Sequence, residues 1–81
     1  MQYKSTYVKS NVSAAIVVDS DAIQTANYMY DDEFLSLTFK NGNRYIYDGV
    51  PRFLFHGLQE SASKGKFINN YVLGKFKFRR V

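Results

Sequence analysis

The pair Asn41-Gly42 constrains this chain most, because it stands between two short runs with the two-residue period of a strand. Before it, Leu35, Leu37 and Phe39 share one side of an extended segment from Phe34 to Phe39, and Ser36 and Thr38 share the other. After it, Arg44-Tyr45-Ile46-Tyr47 resumes at once. Asn-Gly suits the positive φ angles of a type I′ turn, so the segment predicts a tight antiparallel hairpin.

The rest of the fold is built outward from this hairpin. Ile23 to Tyr30 is rich in strand formers and lies between the turn residues Asp19-Ser20-Asp21 and Asp31-Asp32. Short turns join antiparallel neighbours, which predicts a three-stranded meander in sequential order. Beyond Gly49, Val50-Pro51 puts proline at a first helical position, and Phe53, Leu54 and Leu58 follow at helical spacing within Arg52 to Glu60. Ser61 or Ser63 caps a second short helix over Lys66 to Leu73, which Gly74 ends. The tail alternates Lys75, Phe76, Lys77, Phe78, Arg79, a strand period that puts Phe76 and Phe78 on the body of the domain and the cations in water. Residues 3–9 and 12–18 hold β-branched and aromatic residues without clean alternation, so a strand there is left open. The expected class is α+β: a three-stranded antiparallel β-meander and two short C-terminal helices, with an extra N- or C-terminal strand left open. Residues 1–19 read as an extension and 20–81 as the domain.

A chain of 81 residues has room for one domain. With 46% apolar residues, seven Tyr and seven Phe, it can build a core from a few large side chains. The absence of cysteine excludes disulfides, thiolate metal sites and cysteine nucleophiles, and the chain has no run of 18 apolar residues. Met1 to Ser10 has polar residues where a signal peptide needs apolar ones. The expected setting is cytoplasmic, away from any membrane.

Charge divides the chain more sharply than its net +4 suggests. All seven acids lie between Asp19 and Glu60, where only Lys40, Arg44 and Arg52 oppose them. Lys4 and Lys9 precede that stretch, and Lys64, Lys66, Lys75, Lys77, Arg79 and Arg80 follow it with no acid among them. Such a segment either contacts phosphates or serves as a solvated basic surface.

Catalytic patterns are poor by comparison. His56 is the sole histidine and falls inside the first helix, and Asp31-Asp32-Glu33 lacks the spacing of a calcium loop. Ser63-Lys64-Gly65-Lys66 lacks the frame of a phosphate-binding P-loop, and no serine sits in a nucleophile elbow. No enzyme, metal or cofactor is expected.

The order Ile23, Leu35-Ser36-Leu37-Thr38-Phe39, Asn41-Gly42, Tyr45-Ile46-Tyr47, Val50-Pro51, Ala62-Ser63-Lys64-Gly65 and Phe67-Ile68-Asn69 resembles the KTSC family over residues 20–78. That family is named for a module at the C-terminus of some lysyl-tRNA synthetases and also occurs as stand-alone bacterial and viral proteins. The chain departs from it at Asn27-Tyr28-Met29-Tyr30-Asp31, where the family tends towards Gly-Tyr and an acid. The resemblance implies a small α+β module, with RNA suggested as its ligand by association with a tRNA-handling enzyme.

Two functions are carried forward. In the first, a non-catalytic module binds RNA or another single-stranded nucleic acid, with Arg44, Lys64, Lys66, Lys75, Lys77, Arg79 and Arg80 on phosphates. Tyr45 and Tyr47, which share a strand face, either stack on bases or lie in the core. In the second, the chain is a protein-interaction module, such as a virus-encoded protein that occupies a host complex. Self-association as a homodimer through a sheet edge is a further option.

Overall fold

The computed structural model describes residues 13–18 and 20–81. The reading over residues 3–9, with Lys4 and Lys9, lies outside the described residues. The elements are β1 (Ser13–Val17), β2 (Ile23–Met29), β3 (Phe34–Phe39), β4 (Arg44–Tyr47), α1 (Arg52–Glu60), α2 (Lys64–Tyr71) and β5 (Phe78–Arg80). The strands form one antiparallel sheet in the order β1-β2-β3-β4-β5. The α+β class and both helices are as expected, but among the described residues the sheet has five strands rather than three. The two additions flank the central meander, where β1 half-buries only small or single apolar residues and β5 spans three residues. Such segments carry a weak periodic signal.

Directly opposed residues share a face, so the register assigns the two sides of the sheet. One side carries the rows Ala14–Tyr28–Leu35–Tyr47–Phe78 and Ile16–Ala26–Leu37–Tyr45–Arg80. Phe55, Leu58, Ile68 and Val72 from the helical layer join Ala26, Tyr28, Leu35, Leu37 and Tyr47 in one core. Tyr28 stacks on Phe55 with ring centres 4.7 Å apart, and its hydroxyl donates to the Val50 carbonyl at 2.6 Å. Both helices therefore lie on this side, tied to it just before α1 begins. In β2, Gln24 is an extra residue between Ile23, opposite Phe39, and Thr25, opposite Thr38. This bulge keeps Ile23 in the core while turning Thr25 outward.

The central hairpin forms at the expected place with a different turn. Gly42 donates to the Phe39 carbonyl, and Phe39 donates to the Asn43 carbonyl. In this loop only Gly42, at φ +93°, has a positive φ. The loop is a three-residue connection of turn plus left-handed glycine, not a type I′ turn. Asn41 instead accepts the Asn43 N–H through its side chain.

Helical details also shift. Pro51 is the N-cap of α1, with extended backbone, and its carbonyl accepts from Leu54. Phe55 and Leu58 face the sheet, whereas Phe53, expected on the core side, is 72% exposed. Two residues along a helix turn the side chain through about 200°, which carries Phe53 away when Phe55 is inside. Helix α2 starts at Lys64 and ends at Tyr71, with Gly74 three residues beyond at φ +78°. Ser63 occupies its cap position without a side-chain bond. The Ser61 hydroxyl instead accepts the Ser63 N–H at 3.2 Å.

Candidate nucleic-acid interface

The sheet does not present Tyr45 and Tyr47 as a pair of stacking rings. Both project to the helix side, where Tyr47 is 5% exposed and Tyr45 is half-buried. Tyr45 is held edge-to-face by Phe39 at 5.4 Å and Phe78 at 5.7 Å. Burial pushes the Tyr47 hydroxyl above its usual pKa, and the neighbouring Tyr45 adds to the shift. Strand period says that the two rings share a side but not which side the helices cover. The exposed ring of this neighbourhood is Phe78, opposite Tyr47 but 59% exposed at the sheet margin. Of the two tail phenylalanines expected against the body, Phe76 packs on the core and Phe78 only partly does so.

The basic residues divide among three places. Lys64 is committed to the junction between the helices, where its Nζ donates to the carbonyls of Gln59 at 3.2 Å and Ser61 at 2.9 Å. These carbonyls lie at the C-terminal end of α1, where a cation meets the negative end of the helix dipole. These bonds use two of the three ammonium N–H donors within the chain. Lys66 is exposed on a cleft of about 490 Å³ between the β1–β2 turn and the start of α2, with Ile23, Phe39 and Leu73 among its walls. Lys75 is exposed in the connection that follows Gly74.

The third group lies at the β4–β5 margin. Arg44 opposes Thr38, and Arg79 opposes Ile46, which places both on the side of the sheet away from the helices. The Asp48 N–H donates to the Lys77 carbonyl at 2.9 Å, which continues this register and puts Lys77 on the same side. Arg80 opposes Tyr45 and projects to the helix side. Sequence order had gathered Lys64 to Arg80 into one cluster, but topology separates it and brings Arg44 beside its end. The Arg79 guanidinium pairs with Asp48 at 3.3 Å and lies 5.3 Å from the centre of the Phe34 ring. Both partners of the ion pair are substantially exposed, so the pair is open to exchange with another anion.

Elsewhere, His56 is exposed and its Nδ1 lies 3.2 Å from Gln59 Oε1. Among the described residues, no group of three or more His, Cys, Asp or Glu is arranged to hold a metal ion. No described helix is long and apolar enough to cross a membrane.

The KTSC domain family model matches residues 19–76. The crystal structure of a KTSC domain protein from Yersinia pestis superposes with a TM-score of 0.75 at 30% identity, covering 85% of this chain and 97% of that one. A protein from Tsukamurella paurometabola is 37% identical over 60 residues, 74% of this chain and 90% of that protein. A lysine--tRNA ligase from Nostoc punctiforme is 30% identical over 63 residues, which are 78% of this chain but only 11% of the ligase. In fold and in sequence, the chain belongs to the KTSC domain family.

Proposed function

We propose that this protein is a non-catalytic binding module for single-stranded nucleic acid, with RNA the first ligand to test. The observation that carries this reading is the convergence of Arg44, Lys77 and Arg79, at the β4–β5 margin, on the side of the sheet away from the helices. Lys75 and Arg80 adjoin them along the chain, and the exposed Phe78 ring lies at the same margin but on the helix side. Cations fixed by strand register form a line for a polyanion. The name of the Nostoc relative sets a related module within an enzyme that handles tRNA, which supports choosing RNA.

Titrating a fluorescently labelled RNA 10-mer at several salt concentrations tests this. Three phosphates neutralised on a single strand give a slope of log K against log salt of about −2. Binding without salt dependence, or none at low salt, rejects the reading. One observation favours a second reading, docking on a protein: Phe53 and Tyr71 are exposed apolar residues of the helical layer. Stoichiometric capture of one protein after nuclease treatment, lost in Phe53→Ser, is its expected signature.

A further inference from the structure

We infer that a bound single strand lies across the side of the sheet that no described element covers, with its phosphates on β4–β5 and its bases over β3 and β2. The inference rests on the nucleic-acid reading and adds the surface, the strand's direction of approach and the residues that meet the bases.

The outward positions are Ser13, Ala15 and Val17 on β1, Thr25, Asn27 and Met29 on β2, and Phe34, Ser36 and Thr38 on β3. None of these is charged, and none is buried. On β4 and β5 the same side carries Arg44, Ile46, Asp48, Lys77 and Arg79. Charge on this face is thus confined to one margin, and the remainder is neutral and built largely from short side chains.

That division matches the two halves of a nucleotide. Phosphates need cations, which the margin supplies. Bases need flat room, amide or hydroxyl groups for their edges, and apolar contact for their faces. The row Asn27–Ser36–Ile46–Arg79 runs directly from a side-chain amide, through a hydroxyl, to the margin cation. Neighbouring strands are about 4.8 Å apart, so the row spans about 14 Å from Asn27 to Arg79. A phosphate at Arg79 therefore leaves room for its base over Ser36, with Asn27 in reach of the base beyond. The helix side offers no such row, because Tyr28, Leu35 and Tyr47 there are filled over by the helices. Asp48 is the one acid among these outward residues, and a phosphate competes with it for Arg79.

Two substitutions with equal change of charge separate this surface from the rest of the molecule. Asn27→Glu places an anion on this face, and Asn70→Glu places one on exposed α2. Long-range repulsion acts on both, whereas local exclusion of the strand acts only on the first. With the labelled RNA 10-mer at low salt, Asn27→Glu is expected to weaken binding about tenfold more than Asn70→Glu. Circular dichroism and melting temperature establish that each variant is folded. If Asn27→Glu does not fold, amide shift changes in the unaltered protein on adding the RNA replace it. They are expected at Asn27, Ser36, Thr38 and Arg79 and not along α2.

Salt-dependent RNA binding in which the two variants lose affinity equally, or in which shifts centre on α2, overturns the inference and leaves the broader reading standing. Failure of the unaltered protein to bind RNA at low salt overturns both.

Discussion

Lys64 and Arg79 belong to the same acid-free stretch of sequence, yet their surroundings give them different tasks. Lys64 closes the end of α1 by bonding two carbonyls that the helix leaves unpaired. Arg79 stands on the side of the sheet away from the helices and pairs with the exposed carboxylate of Asp48. Lys64→Met keeps the length and apolar stem of the side chain and removes the cation. It is expected to lower stability by about 1 kcal/mol in urea unfolding. Its salt dependence of RNA binding should match that of the unaltered protein. A slope shallower by about 0.7 would instead make Lys64 a phosphate contact. The sequence offered no means to separate these two cations, since the carbonyls that hold Lys64 belong to the backbone, whose position only the folded junction defines.

At the scale of elements, the hairpin was legible because its signal is local: period-two strands and a glycine-containing turn between Phe34 and Tyr47. The turn type was not, because loop length depends on where Phe39 and Asn43 close the ladder. The two outer described strands were legible only as alternatives, since β1 half-buries only Ala14 and Ile16 and all three residues of β5 are exposed. Leu54 fits a helical spacing with Leu58 but its neighbour Phe53, five residues before Leu58, does not, and only packing shows that Phe55 holds the centre. The helix-to-sheet contacts carry a prediction of their own at Gly65. A Cβ there would stand 2.7 Å from Cβ of Ser20, whose hydroxyl accepts the Ile23 N–H at 2.8 Å and fixes the β1–β2 turn. Because Ser20 is anchored, the start of α2 must move instead. Gly65→Ala is expected to cost about 1–3 kcal/mol by overpacking, and urea unfolding measures it. A change below about 0.5 kcal/mol would mean that the turn and helix adjust freely.

For the molecule as a whole, the candidate interface and the core are two sides of one sheet, and this explains why the site was only half legible. Composition located the cations, but sidedness depends on where the helices pack, and that is a property of the complete fold. The same layering makes alkaline pH a global probe. Tyr28 and Tyr47 both lie in the core, and both have hydroxyl pKa values above 10.0. For Tyr28 burial is the main cause, reinforced by the charge of Glu33 and opposed by Arg52. A raised folded-state value means that the folded protein holds these protons after the unfolded chain has lost them. The stability this contributes is fully present below about pH 10 and is lost as pH climbs through the folded values. The urea midpoint is therefore expected to fall between pH 9 and pH 11. Lysine deprotonation contributes in the same range, so the comparison is with the double variant Tyr28→Phe/Tyr47→Phe. That variant starts less stable, because the Val50 carbonyl loses its buried donor. Its midpoint should nevertheless decline less over the same pH interval, since neither core ring can ionise. Equal declines in the two proteins would show that the tyrosines ionise within the fold as readily as outside it, and that the core is wetter than its packing implies.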